Sequence, residues 1–261
     1  MASISLRQHA LSAPLSGVRT WHGCGEKRKP GAPDGVTRWN DVRLVNSWAA
    51  TYQRTKTKMK KEHFELLSPS KLCASSDISQ DSSVVPQMPG VYAWYFRQIP
   101  PLVPEEGCHT LRGLTLLYVG IAPRKPPKGK TEQGTRTLRD RLKLAVKRNA
   151  DVSTLRLSLG CLLSEHLGLQ LRRVGNENVM TFAGGERELS QWIAQNTFVA
   201  WTVTTAPWVI EEELLLSLSL PLNIKGNSRH PFCRTLKLMR KGAKQKAREL
   251  PILTRNGSQY V

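Results

Sequence analysis

Apolar and polar positions divide the 261-residue chain into two regions. Up to about residue 60, glycines and prolines interrupt a stretch with little periodicity, and residues 74–83 are rich in serine and aspartate. From residue 86 onward, apolar runs follow one another with the spacing of strands and helices. The pattern predicts a flexible basic N-terminal extension and linker over residues 1–85 and a folded part that begins at residue 86.

Two apolar segments near the start of the folded part have the composition of β-strands. Residues 91–96 are rich in aromatic side chains, and residues 114–121 form a second apolar run. Because adjacent strands of this kind usually pair antiparallel, they predict a hairpin with a long Pro- and Gly-rich loop over residues 98–113. Further strand signals lie at residues 169–173, 179–182 and 198–203.

Helical spacing of apolar residues predicts helices over residues 135–148, 153–167, 186–195, 208–219 and 231–249. Ser153 has the type of an N-cap, and Pro207 lies near the first turn of its helix. Strands and helices alternate irregularly. The predicted fold class is therefore α/β (α+β), with a small, largely antiparallel sheet flanked by helices.

The charge of the chain points to a polyanionic partner. The formal net charge is +19, and residues 229–261 contain nine basic residues and one acidic residue. Such an excess favours binding to nucleic acid, although a basic surface that only aids solubility is the plainer alternative. The residues expected to contact DNA lie on two predicted helices and are Arg139, Lys143, Lys147, Arg234, Lys237, Arg240, Lys241 and Lys244.

The number and spacing of the cysteines and histidines indicate the cellular compartment and argue against some kinds of site. The five cysteines form no Cys-x-x-Cys pair, and no histidines have metal-ligand spacing, so a disulfide framework or a zinc site is not expected. A reducing, cytoplasmic and DNA-associated location is predicted, without membrane contact, because no apolar run has the length of a membrane span. The first 25 residues lack acids, which leaves organellar targeting as an alternative.

A few polar residues in the folded part have the chemistry of phosphodiester cleavage. Tyr92 and Tyr118 lie on the two strands of the predicted hairpin, where their hydroxyls could orient a water molecule or a phosphate. Arg141 lies on the next helix and could bind a phosphate oxygen pair. Each has an ordinary alternative: tyrosines pack in strands, and arginines lie on solvated helix faces.

Three consecutive glutamates, at positions 211 to 213, are expected in the first turn of a helix, where the helix dipole favours acids whatever their function. A carboxylate is also what a nuclease needs to hold Mg²⁺. Glu211 precedes Leu214 and Leu215 by three and four residues, which places it on the core-facing side and favours it as the ligand. Asn223 follows the helix and could cap a turn.

These residues stand within a series of short motifs, in the order Pro89-Gly90-Val91-Tyr92, Leu117-Tyr118-Val119-Gly120, Leu138-Arg139-Asp140-Arg141-Leu142, Glu211 with Leu214-Leu215, and Pro221-Leu222-Asn223. Together they resemble the GIY-YIG endonuclease family. The resemblance implies a nuclease domain over residues 86–230 with an insertion at about 150–200, followed by a basic C-terminal helix and tail over residues 231–261.

The resemblance also implies roles for the site residues. Tyr92 and Tyr118 would lie at the catalytic centre, Arg141 would contact the scissile phosphate, and Glu211 would ligate Mg²⁺ or Mn²⁺. Asn223 would hold the site together, and the structural glycines Gly90 and Gly120 would allow the strand geometry. The sequence departs from the family in its long loop between the first two motifs and in Ile121, which stands where some members have lysine.

The sequence leads to two functional hypotheses. The first is a metal-dependent DNA endonuclease, of a family with members in DNA repair and restriction. The second is a nucleic-acid-binding module that keeps the fold but does not cleave.

Overall fold

The computed structural model describes residues 60–126 and 134–254. In chain order, the elements are α1 (Lys61–Leu67), β1 (Cys73–Ala74), α2 (Ser75–Gln80), β2 (Gly90–Phe96), β3 (Thr110–Leu111), β4 (Leu114–Ala122), α3 (Leu138–Lys147), α4 (Thr154–Leu162), α5 (Ser164–Leu167), β5 (Arg172–Arg173), β6 (Met180–Thr181), α6 (Glu186–Asn196), β7 (Thr197–Val203), α7 (Pro207–Ser217) and α8 (Phe232–Glu249). None of these helices combines the length and the apolar composition needed to cross a membrane.

The main sheet has five strands in the order β1-β7-β2-β4-β3. All neighbouring strands run antiparallel, and the predicted hairpin of β2 and β4 is confirmed. In that hairpin, Tyr92 pairs with Gly120 and Trp94 pairs with Tyr118 before the register shifts. The small antiparallel sheet with flanking helices is the α+β architecture that the sequence predicted.

Helices cover both faces of the sheet, so β2 is buried along its whole length. On one face, Tyr92, Trp94 and Phe96 belong to a core cluster shared with α3, α4 and α6. On the other face, Val91, Ala93 and Tyr95 pack with apolar residues of α1 and α7. A strand buried on both faces reads as a continuous apolar run, which is why β2 could be recognised in the sequence.

The structure contradicts the predicted linker for residues 60–85, which belong to the folded part. β1 pairs with β7 at one edge of the main sheet, and Leu66 of α1 and Ile78 of α2 are fully buried. These elements are too short to show a clear period in the sequence, and their burial depends on β7, which follows much later in the chain. The rest of the predicted extension, residues 1–59, and the end of the predicted tail, residues 255–261, lie outside the described residues.

The segment expected as an insertion, residues 150–200, contains α4, α5, the small β5–β6 hairpin and α6. The single helix expected over residues 153–167 is instead two helices, although Ser153 is the N-cap of α4 as predicted. Fully buried Arg156 fixes α4 to α6 through an ion pair of 2.7 Å with Glu186. The segment ends in the first residues of β7, which lies inside the main sheet beside β2.

Two helices near the C-terminus complete the fold around the site. α7 begins at Pro207, so Glu211 lies in its second turn and not in the first turn as expected. α8 buries Phe232, Cys233, Leu236 and Ala247, and it packs against α4. The basic C-terminal helix is therefore an integral part of the core.

Candidate active site

Tyr92 and Tyr118 meet on one face of the β2–β4 hairpin. Their ring centroids are 6.5 Å apart, with an angle of 39° between the ring planes. The Tyr92 ring lies over Gly120, where an added Cβ would come within 2.5 Å of the tyrosine Cζ and Oη atoms. Gly120 is thus required because it leaves room for a neighbouring ring, whereas the sequence suggested only a need for special strand geometry.

Gly90 has a similar role at the start of β2. An added Cβ there would lie 2.1 Å from the carbonyl oxygen of Thr202 and 2.8 Å from Cδ1 of Leu138. The glycine therefore lets β7 and the first residue of α3 approach β2 closely. Because α3 carries Arg141, this contact helps to set the position of the arginine relative to the tyrosines.

Arg141 extends from α3 towards the two tyrosines. The helix begins at a capping box, in which Thr137 and Asp140 bond to each other's backbone N–H groups. Arg141 is half-buried beside the Tyr92 hydroxyl, and its charge interaction with that phenol raises the pKa of the guanidinium. Its Nε atom is buried without a hydrogen-bond partner in the part of the chain that the structure describes.

Burial raises the pKa of both phenols, so both are neutral at physiological pH. The charge of the adjacent Arg141 lowers the pKa of Tyr92 and partly offsets the effect of burial. A hydrogen bond from the Thr154 side chain lowers the pKa of Tyr118 in the same way. Neutral hydroxyls can both donate and accept hydrogen bonds. The pair can therefore orient a water molecule or a phosphate oxygen.

The three consecutive glutamates of α7 have different surroundings. Glu212 is exposed and forms an ion pair of 2.6 Å with Lys125, and Glu213 interacts with Lys60 and with His63. Within the described residues, the half-buried carboxylate of Glu211 has neither a hydrogen bond nor an ion pair. Burial raises its pKa to about 7, with Lys225 and Arg141 opposing the rise and Glu212 adding to it.

Asn223 is buried and fastens the loop after α7 to β4. Its Oδ1 accepts a hydrogen bond of 2.9 Å from the backbone N–H of Val119, and its Nδ2 donates one of 2.8 Å to the Val119 carbonyl. Leu222 adds a backbone hydrogen bond of 3.1 Å to the carbonyl of Leu117. Asn223 thus holds the strand segment that carries Tyr118 and Gly120.

These elements enclose a cleft of about 450 Å³. Tyr118, Arg141, Glu211 and Asn223 line it, while Tyr92 lies behind it against Arg141 and Tyr118. Arg240, which the sequence predicted as a DNA contact and not as part of the catalytic centre, also lines the cleft. Among the other lining residues, the sequence predicted no role for Arg124, Lys125, Thr154, Ser158, Trp208 and Lys225. No local sequence signal marks them, because they meet only through the packing of α4, α7 and α8 around β4.

The residues predicted to contact nucleic acid fall into three groups. Arg139 lies outside the cleft and donates hydrogen bonds to the carbonyls of Val85 and Ser83, at 2.7 Å and 3.2 Å. Lys143 and Lys147 are exposed on α3, and Arg234 is exposed on α8, all outside the cleft. The remaining four line a groove along α8: Lys237, Arg240, Lys241 and Lys244.

The donor set of the cleft fits a hard divalent cation. No group of three or more His, Cys, Asp or Glu side chains that could bind a metal is present in the described part of the chain. Mg²⁺ commonly uses only one or two carboxylates and completes its shell with water and phosphate oxygens. Glu211, whose carboxylate oxygens are not used by other described side chains, meets that requirement.

Comparison with known families agrees with this geometry. A family model described as the GIY-YIG catalytic domain matches residues 90–242. The match covers more than half of the chain, so the protein belongs to the GIY-YIG family and contains a nuclease domain. Comparisons with curated proteins and with solved structures found no match. The matched region includes the first half of α8, which the sequence had placed outside the domain.

Proposed function

We propose that the protein is an endonuclease that hydrolyses DNA phosphodiester bonds with Mg²⁺ or Mn²⁺ bound at Glu211. The observation that carries the proposal is the unpaired Glu211 carboxylate in the same cleft as Arg141 and Tyr118. An unpaired, half-buried carboxylate costs stability unless it binds something, and a cation is what it binds best.

The cleft is suited to a polyanionic substrate. Arg124, Lys125, Lys225 and Arg240 line it together with Arg141, and Glu211 and Glu212 supply its carboxylates. Basic side chains attract phosphates and release counterions from DNA, which accounts for much of the affinity of DNA-binding proteins. The overall charge of +19 acts in the same direction over a longer range.

Each residue of the site has a distinct task in the proposed reaction. Glu211 holds the metal ion, which, when bound, supplies Lewis-acid stabilisation of the negative charge on the phosphate. The Arg141 guanidinium donates hydrogen bonds to the phosphate oxygens, and these strengthen as charge accumulates. Tyr118 faces the cleft and orients the attacking water, while Tyr92 supports Arg141 and Tyr118 from behind.

The proposed hydrolysis is a single displacement at phosphorus and forms no covalent intermediate with the enzyme. The water oxygen forms a bond to phosphorus, in line with the bond to the leaving oxygen, which then breaks. The attacking water gives up one proton to the solvent, and the leaving oxygen takes up one proton from the solvent. Because both tyrosine hydroxyls are neutral, their contribution is positioning by hydrogen bonds, and Arg141 supplies positive charge beside the phosphate.

A cleavage assay tests this proposal. Purified protein is incubated with supercoiled, branched and single-stranded DNA, in Mg²⁺, in Mn²⁺ and in EDTA. Cleavage is expected with the metals and not with EDTA. Glu211→Gln should nearly abolish cleavage and leave DNA binding intact, because a neutral amide holds a divalent cation poorly.

Glu212→Gln is the matched control, because Glu212 is exposed and paired with Lys125. It should retain most of the activity. If Glu212→Gln is inactive and Glu211→Gln is active, the assigned ligand is wrong by one position. If the wild-type protein binds every DNA and cleaves none with either metal, the protein is a binding module and the proposed activity is rejected.

A further inference from the structure

Arg240 of α8 reaches the candidate active site from a distant part of the chain. It lines the cleft together with Tyr118, Arg141 and Glu211. The helix is held there by its buried residues Phe232, Cys233 and Leu236 on the core side. At the far end of α8, Arg173 donates hydrogen bonds to the last helical carbonyls, including one of 2.8 Å to that of Arg248. The position of Arg240 is thus fixed by packing at both ends of the helix.

The guanidinium of Arg240 is half-buried and has no hydrogen bond or ion pair with the described residues. Other partly or fully buried arginines are used differently: Arg156 bonds to Glu186, and Arg139 and Arg173 bond to backbone carbonyls. Burial lowers the pKa of Arg240, opposed by its proximity to Cys161 and Tyr118. A guanidinium that lines a cleft rich in basic residues, and that has no acceptor among the described residues, is suited to bind a phosphate.

Arg240 also belongs to a second surface, a groove of about 340 Å³ along α8. Its basic lining residues lie on one face of the helix, at spacings of one, three and four positions, and are Lys237, Arg240, Lys241, Lys244 and Arg248. Ile224, from the loop before the helix, also lines it. We refer to these five basic residues as the α8 stripe. Arg240 and Ile224 line both the groove and the cleft, so the two surfaces are continuous.

The dimensions of the α8 stripe match a nucleic-acid strand. From Lys237 to Arg248 the helix rises by about 16 Å. One strand of B-DNA places a phosphate about every 3.4 Å along its axis, so the stripe can follow roughly four or five phosphates. The groove lining contains cations and one apolar residue but no carboxylate. It therefore favours a phosphate backbone over a surface of mixed charge.

We propose that Arg240 binds a phosphate of the substrate inside the cleft and that the α8 stripe guides the same strand away from the cleft. The inference rests on the proposed function, because it assigns the path that the cleaved strand takes. Arg240 then has two effects: it adds affinity, and it places the phosphate relative to Arg141 and Glu211. The outer residues of the stripe add affinity alone.

Two measurements on the full-length protein separate these effects. The first is DNA affinity in EDTA as a function of salt, and the second is the single-turnover cleavage rate at saturating DNA with Mg²⁺. Arg240→Gln should weaken binding and flatten the slope of log affinity against log salt by about 0.9, the value for one phosphate contact. It should also slow single-turnover cleavage by about tenfold or more, as for loss of a charge-stabilising donor.

Lys241→Gln is the comparison within the stripe, because Lys241 lines the groove but not the cleft. Lys241→Gln should flatten the slope of log affinity against log salt by a similar amount. Its single-turnover rate at saturating DNA should stay within about twofold of the wild-type rate. Compared with Arg240→Gln, the Arg240→Lys variant should recover more of the DNA affinity than of the cleavage rate. Its single ammonium replaces the charge but not the paired N–H donors of the guanidinium. Arg187→Gln, which removes an exposed arginine outside both surfaces, is the control for the loss of one positive charge.

Thermal unfolding distinguishes this role from a structural one. Arg240→Gln should unfold at the same temperature as the wild type or higher, because it removes a half-buried charge that has no partner among the described residues. If Arg240→Gln binds DNA in EDTA as the Arg187→Gln control does, the proposed contact is wrong, whether or not the wild type cleaves. If Arg240→Gln and Lys241→Gln give equal saturated rates, the placement of Arg240 at the reacting phosphate is wrong. A wild-type protein that does not cleave rejects the proposed function, and the EDTA binding result still decides the Arg240 contact.

Discussion

At the scale of single residues, Gly120 controls the space available to Tyr92. A methyl group at this position would overlap the buried tyrosine ring, with an added Cβ 2.5 Å from its hydroxyl oxygen. Gly120→Ala is therefore expected to lower the free energy of unfolding by about 1–3 kcal/mol, the usual cost of overpacking. It should also reduce single-turnover cleavage, because Tyr92 supports Arg141 and Tyr118. Chemical denaturation and a cleavage assay measure the two effects.

Gly242→Ala is the control, because among the described residues only its chain neighbours and its own helix backbone lie within 4 Å of an added Cβ there. Since Gly242 lies inside α8, alanine should raise the stability by up to about 1 kcal/mol. A Gly120→Ala protein with the stability and the activity of the wild type would show that the ring position is not set by this contact.

Glu211 should reduce the stability of the metal-free protein. Its pKa is raised from 4.5 to about 7 in the fold, so the ionised form is disfavoured there relative to the unfolded chain. The resulting destabilisation is absent below about pH 4.5, grows as the pH rises to about 7, and is constant above that. In EDTA at pH 8, Glu211→Gln is expected to be more stable than the wild type, by on the order of 2 kcal/mol.

Denaturation of Glu211→Gln and wild type in EDTA at pH 5 and at pH 8 checks this expectation. The difference should be small at the lower pH and appear at the higher one. Glu212→Gln should show little change at either pH, because Glu212 is exposed. A Glu211→Gln protein that is less stable than the wild type at pH 8 would mean that the carboxylate has a structural partner.

The residues of the candidate site differ in how well the sequence could predict them. Tyr92, Tyr118, Arg141, Glu211 and Asn223 stand in short motifs with recognisable order, and the structure brings them together around β4. Residues such as Thr154 and Lys225 carry no local signal. The sequence predicted Arg240 as a DNA contact on a basic helix but not as part of the cleft, because its place in the cleft depends on how α8 packs against α4.

At the scale of elements, long periodic segments were predictable and short ones were not. The apolar period of α8 extends over 18 residues, and its predicted limits agree closely with Phe232–Glu249. β1 has two residues and α2 has six, so neither offers enough positions for a period. Both are stabilised by contact with β7, which lies more than a hundred positions away in the chain.

The core role of α8 leads to a prediction at this scale. Leu236 is fully buried, whereas Leu238, two positions later, has 57% of its surface exposed. Leu236→Ala should lower the free energy of unfolding by about 2–5 kcal/mol because it leaves a cavity. Leu238→Ala should change it by less than about 0.5 kcal/mol. Urea denaturation of both variants distinguishes an integral helix from a detachable basic tail, for which both substitutions would have equally small effects.

At the scale of the whole molecule, the folded unit is larger than the region that the family model matches. The match begins at residue 90, but the described residues from position 60 onward belong to one compact unit. Leu66, Cys73 and Ile78 bury their side chains within that unit, and the Leu66 carbonyl accepts a hydrogen bond of 2.7 Å from the Tyr95 hydroxyl. The segment before the matched region thus covers one face and one edge of the main sheet.

Two truncations test the extent of this unit. Deletion of residues 1–52 should leave a protein that unfolds cooperatively at nearly the wild-type temperature, because every described element from α1 onward is retained. Deletion of residues 1–85 removes α1, β1 and α2, and it exposes β7 as an edge strand. It also removes Ser75, whose side chain forms a hydrogen bond of 2.6 Å with the buried Thr197 hydroxyl. This second protein should aggregate or lose its cooperative transition. Circular dichroism with thermal unfolding compares the two, and equal midpoints would show that residues 53–85 contribute nothing to the stability of the nuclease domain.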